Sequence, residues 1–221
     1  ATCGRGVWGH KWDVNSLGAP VVDGKAVGGW VPNDVYGYTQ FGEWHCNIPW
    51  DQPGHAGTIG IIAHEIGHDL GWPDLYDTDG SSTGVGKWSV MGYGSWNYTT
   101  GFQGTLPALP DPFLRSYQGW SAPLEVTGSE TSVPITAATS ADSVRRLGAN
   151  PNGVDWSFGA ASGTGEYFLV ENRQKTGYDA ALPGCGLLIW HIDETRVGTN
   201  AANSDETRRM VDVEEADGRN D

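Results

Sequence analysis

Between Thr58 and Gly71 the chain repeats apolar residues at helical intervals. At about 100° per residue, Ile59, Ile62, Ile66 and Leu70 gather on one side, and His64 and His68 lie together on the other. The spacing predicts an amphipathic helix over about 58–70. Thr58 is the expected N-cap, and Gly71 the expected residue in the left-handed conformation that ends it. The polar stripe of this helix is histidine, where a merely solvated helix would show Lys or Glu. Before it, residues 1–57 are rich in Gly, Trp and turn residues, and short runs such as "APVVDGKAV" predict strands and loops without a long helix. After it, 72–109 is dense in Gly, Ser and Pro and reads as irregular. "DPFLRSYQGW" then predicts a short helix over about 111–118, with Asp111 as cap, Pro112 in the first turn and Gly119 as stop.

Beyond Pro123 the periodicity shortens. "PLEVT", "TSVPITA", "GEYFLVENRQ", "GCGLLIWHID" and "MVDVEEAD" read as strands separated by turn-rich pieces. "GLLIWHID" is nearly unbroken apolar sequence, which predicts a strand buried on both faces and makes His191 a satisfied core histidine. The expected fold class is therefore α+β: a mixed front region over 1–121 and a β-rich region over 122–221 packed against it.

Composition narrows the function. With 221 residues, 38% of them hydrophobic, the chain can bury a sizeable core, and 33 glycines with only 18% charged residues exclude a helical bundle. The formal net charge of −14 disfavours nucleic acid and anionic membrane surfaces as partners. No apolar run reaches bilayer length, so no membrane insertion is expected. Nothing near Ala1 resembles a signal peptide, and any such leader is expected to be already removed. Three cysteines, Cys3, Cys46 and Cys185, allow one pair and one thiol that is free or bonded elsewhere.

The chemistry concentrates in "IIAHEIGHDLGWPDLYD" (61–77). His64 and His68, four apart on a helix, can reach one ion. Glu65 sits about 100° aside, where it touches a metal-bound water and not the metal. Gly71 lets the chain turn off the helix, and Asp74 then returns as a candidate third ligand. Three protein ligands leave an open position, the arrangement of catalytic zinc. Asp77, Glu171 and His191 are the alternative third ligands. Asp77 and Asp79 ahead of Gly80 partly resemble a calcium loop without its terminal glutamate, compatible with structural Ca2+ or with a solvated turn.

"HEIGHDLGWPD" resembles the H-E-x-x-H-x-x-G-x-x-(H/D) signature of the metzincin metalloproteases, with Asp74 in place of the usual third histidine. "SVMGYGS" (89–95) resembles their Met-turn. Together with "ENRQ" and "GLLIWHIDE", these segments are similar to the immune inhibitor A family of secreted bacterial metalloproteases, from about residue 30 onward. The resemblance implies a zincin-like catalytic domain with Met91 packed beneath the zinc. It also implies Tyr93 as a metal-binding or oxyanion-stabilising residue, protein and peptide substrates, an extracellular setting and synthesis as a zymogen. Only sixty-three residues precede His64, few for a metzincin upper subdomain, which is compatible with a longer precursor.

The expected function is a zinc-dependent endopeptidase with Glu65 as general base and His64, His68 and Asp74 as ligands. The alternative is a secreted binding or adhesion module with a structural or inactive metal site. Trp72 and Trp96 flank the motifs and are candidates to line a substrate cleft. His10, His45 and His55 fall outside any usable spacing, and the oligomeric state is not encoded in any pattern found.

Overall fold

A computed structural model of the chain describes residues 7, 9–14, 18, 20–26, 37–45, 53–159, 162–196, 198–199 and 201–215. Cys3, Cys46 and the end of the "MVDVEEAD" run lie outside them. Cys185 is exposed and free.

The fold is mixed α/β. The front of the chain contributes three small antiparallel pairs: β1 (His10–Trp12) with β4 (Tyr38–Gln40), β2 (Val21–Val22) with β3 (Lys25–Ala26), and β5 (Trp44–His45) with β6 (His55–Ala56). Helix α1 (Ile59–Asp69) follows at once, and α2 (Pro112–Tyr117) comes after a long irregular stretch. The back of the chain forms one five-stranded sheet in the order β11-β10-β9-β8-β7. Its strands are β7 (Leu124–Glu125), β8 (Arg145–Leu147), β9 (Glu166–Arg173), β10 (Gly186–Asp193) and β11 (Val211–Val213). β7 and β8 are parallel; the other neighbours are antiparallel. No described helix is long and apolar enough to cross a membrane.

Helix termini follow local chemistry. Asp111 caps α2 by accepting from the Leu114 amide at 3.0 Å, with Pro112 in the first turn. Thr58 holds the N-cap position of α1 in an extended conformation but does not cap with its side chain. Its hydroxyl instead donates to the Gln103 carbonyl at 2.7 Å, tying the start of α1 to the loop beyond it. At the other end, Gly71 adopts φ +83°. The Gly71 amide reaches the His68 carbonyl and the Trp72 amide the Gly67 carbonyl, each at 3.0 Å. This Schellman pair satisfies the orphan carbonyls and turns the chain back along the helix.

One apolar cluster takes side chains from both sides of residue 121. Trp72, Leu75, Met91, Phe113 and Leu114 meet Trp156, Leu169, Trp190 and Ile192. At about 1.5–3 kcal/mol for each large side chain fully buried, this shared cluster fixes α2 and the segments that follow α1 against the inner face of the sheet. The Arg115 guanidinium of α2 also pairs with Glu171 on β9.

Two strand expectations need correcting. β10 is not buried on both faces: Leu187 is 62% and Ile189 45% exposed, whereas Trp190 and Ile192 are fully buried. The inner face alone meets the core, and apolar residues on the outer face mimic two-sided burial in a one-dimensional reading. His191 accordingly is not a core histidine. It is partly exposed, stacked on Phe168 and 3.3 Å from Glu166. "TSVPITA" forms no strand, only an isolated bridge from Ala137 to Asn172, because Pro134 brings no amide to a ladder.

Candidate metal centre

Helix α1 is held from several directions. β1 and β4 lie over its C-terminal end, where Lys11 and the Thr39 hydroxyl both bond Asp69. Beneath it runs the 89–95 turn. Gly67 faces that turn, and a Cβ there would stand 2.4 Å from the Met91 sulfur. The missing side chain is what lets the helix and the fully buried Met91 approach so closely.

That approach sets the imidazoles. His64 Nδ1 lies 2.9 Å from the Val90 carbonyl, in the residue before Met91. His68 Nδ1 lies 2.7 Å from the Trp72 carbonyl, in the turn that ends α1. A carbonyl only accepts, so each Nδ1 carries a proton, and a ring in its neutral form presents its lone pair at Nε2. The turn after Gly71 brings Asp74 to meet them. Asp74 Oδ1 is 3.1 Å from His64 Nε2 and 3.2 Å from His68 Nε2. The three donor atoms lie within 4.8 Å of one another, on residues that are buried or nearly so.

With both rings neutral, three electron-pair donors converge, and the arrangement calls for positive charge at their centre, from a proton on an imidazole or from a cation. The titration behaviour reports the same demand. Burial pushes the Asp74 carboxyl up, yet hydrogen bonds and charge from the two imidazoles outweigh it and hold the group down at about 2. Burial pushes the His68 imidazole down, but the Asp74 hydrogen bond and charge leave it raised. Two nitrogens and one carboxylate oxygen are a normal donor set for zinc, and a His whose other nitrogen is fixed on a carbonyl is a typical oriented ligand.

Glu65, on the same helix, is 5% exposed. Burial raises its pKa, opposed by the two imidazoles and reinforced by Asp74. A carboxylate in that state is a stronger base than one in water. Tyr93 is partly exposed at the start of a short 3-10 turn, Tyr93–Trp96. Its ring lies 5.9 Å from that of Tyr76. Tyr76 in turn packs on His64, with centroids 6.1 Å apart and planes 27° apart, and hydrogen-bonds Asp74. Burial, with the Asp74 charge and that bond, raises the phenol, so Tyr76 stays protonated as a donor.

Sequence reasoning passed over Tyr76. Its signal is closeness to Asp74 in the chain, informative only once the turn after Gly71 is known to bring both side chains to His64. The alternative third ligands sit elsewhere. Asp77 turns into its own loop, accepting from the Asp79 and Gly80 amides, the Ser82 amide and the Ser81 hydroxyl. Glu171 is buried among Arg115, Arg173 and the Trp190 indole. Trp72 belongs to the core at 3% exposure, behind α1 and away from the histidine face, because the reversal at Gly71 folds it inward. Trp96 lies beside His45, 6.1 Å between centroids.

A second group, Asp77, Asp79 and Glu206, also brings three carboxylates together. The Ser81 hydroxyl lies among them, bonded to Asp77, Asp79 and Glu206.

A mixed α/β scaffold that presents two histidines, a glutamate and an aspartate from one helix and its following turn has the make-up of a metallopeptidase catalytic domain. The family model described as "Immune inhibitor A peptidase M6, catalytic domain" matches residues 3–121, more than half of the chain. The chain belongs to that family. It is 38% identical over 94 residues to Immune inhibitor A of Bacillus thuringiensis subsp. alesti, covering 39% of this chain and 13% of that protein. It is 39% identical over 113 residues to the pre-pro-metalloprotease PrtV of Vibrio cholerae serotype O1 (strain M66-2), covering 50% of this chain and 11% of that protein. The chain thus spans only a small part of the length of these relatives.

Proposed function

We propose that the chain is the catalytic part of a secreted, zinc-dependent endopeptidase acting on protein substrates and made as a zymogen. His64, His68 and Asp74 would hold the metal, with the 89–95 segment as a Met-turn beneath it. The observation that carries this reading is the convergence of two imidazole Nε2 atoms and one carboxylate oxygen, with the other nitrogen of each imidazole fixed on a carbonyl. Zinc, when bound, supplies Lewis acidity that polarises a peptide carbonyl and brings the pKa of water towards about 7. Glu65 accepts the proton of the attacking water and delivers it to the leaving nitrogen. Its buried, raised carboxyl suits both halves of that transfer. Tyr93 donates to the oxygen that gains charge. Calcium on Asp77, Asp79 and Glu206 is not needed by this reading, since amides and a hydroxyl already meet Asp77.

Casein cleavage tests the reading. Cleavage abolished by a chelator and restored by zinc is expected, and Glu65→Gln should keep its metal while losing about 10²–10⁴-fold in rate. One zinc per chain with no cleavage of any protein substrate would instead favour the binding-module alternative.

A further inference from the structure

The peptide segment that carries Asp74 is fixed at Leu75. Its amide donates to the Met91 carbonyl at 2.8 Å. Its carbonyl accepts from the Val85 amide and the Asn203 side chain, each at 3.0 Å, and its side chain is fully buried in the core. With Leu75 committed inward, the side chains on either side of it, Asp74 and Tyr76, both meet His64.

There Tyr76 makes two contacts with the donor group: a hydrogen bond to the Asp74 carboxylate and ring packing on His64 at 27°. A buried carboxylate keeps one orientation through fixed donors, and a hydroxyl on a carboxylate is a strong, directional partner. The Tyr76 ring packs on His64, and its other ring neighbour is Tyr93.

We propose that Tyr76 is the positioning residue of this centre: its hydroxyl orients Asp74, and its ring holds His64, so that both keep their ligating geometry before any ion arrives. The inference rests on the reading of His64, His68 and Asp74 as metal ligands. It assigns Tyr76 no contact with substrate.

Zinc affinity, measured by competition with a chromogenic chelator on the folded protein, tests it in a double-mutant cycle. Tyr76→Phe removes only the oxygen and is expected to weaken zinc binding by about 10–100-fold. In an Asp74→Asn background the same change should have little further effect, because the group it orients is gone. An equal loss in both backgrounds would mean a merely structural role and would overturn the inference, as would unchanged affinity in Tyr76→Phe. Should Tyr76→Phe not fold, Tyr76→Leu, which also lacks the hydroxyl, enters the same cycle, where a smaller loss in the Asp74→Asn background than in the parent is expected and an equal loss overturns the inference. If the parent protein binds no zinc, or Asp74→Asn binds it as tightly as the parent, the ligand reading itself has failed. Loss in Asp74→Asn without loss in Tyr76→Phe would remove Tyr76 alone.

Discussion

Of the regions of this protein that bury carboxylates, two do it in opposite ways. In the sheet, Arg173 is fully buried and donates to Asp179 through two nitrogens at 2.6 and 2.7 Å. It also reaches Glu171 at 3.0 Å and the Trp88 carbonyl at 3.2 Å. Asp179 further accepts from the Leu109 amide, and Glu171 from Arg115 and the Trp190 indole. Every acceptor there faces a donor that the protein itself provides. Around Asp74 two imidazoles bring a titratable nitrogen each to one carboxylate oxygen, and a second carboxylate, Glu65, stands nearby with its pKa raised. The first network is closed and binds the front of the chain to the sheet. The second is completed by a proton on an imidazole or, in the reading proposed above, by a cation. Burial of charge alone does not mark a functional site; an exchangeable complement does.

That contrast predicts different responses to mutation. The largest effect on stability belongs to the closed network. Arg173→Met leaves Glu171 and Asp179 without their shared cation, and losing one partner of a buried ion pair typically costs about 3–5 kcal/mol. Urea denaturation should show a correspondingly lower midpoint, and an unchanged midpoint would mean that the network does not hold the two parts together.

A smaller effect of opposite sign is expected at the open site. Glu65 is an acid whose folded pKa is raised above the ordinary 4.5. Its protonated form is therefore favoured by folding. The benefit is fully present below pH 4.5 and is lost as pH rises through the folded value, so at neutral pH the buried carboxylate is a burden. Metal-free Glu65→Gln should melt higher than the metal-free parent at pH 7. The gap should close as pH falls toward 4.5. A variant that melts lower at pH 7 would show that Glu65 supports the fold and is not held there at the fold's expense.

The sequence was most legible where one local rule governs. The period of Ile59, Ile62, Ile66 and Leu70 predicts α1, Gly71 ends it in the left-handed conformation, and Asp111 caps α2. The candidate donor group was legible because its members fall within eleven residues on one helix and one turn. Partnerships across long separations were not. Arg115 with Glu171, or Asn203 with Leu75, depends on how the sheet docks, which no local spacing encodes. The outer face of β10 misled for a related reason. Leu187 and Ile189 are as apolar as the residues beside them, and only the tertiary fold decides which face meets the core.

If His64, His68 and Asp74 form one zinc site, elemental analysis of the purified protein should find one zinc per chain in the parent and a sharp fall in Asp74→Ala under the same dialysis. Full zinc occupancy in Asp74→Ala, and again in a His64→Ala/His68→Ala variant, would contradict it.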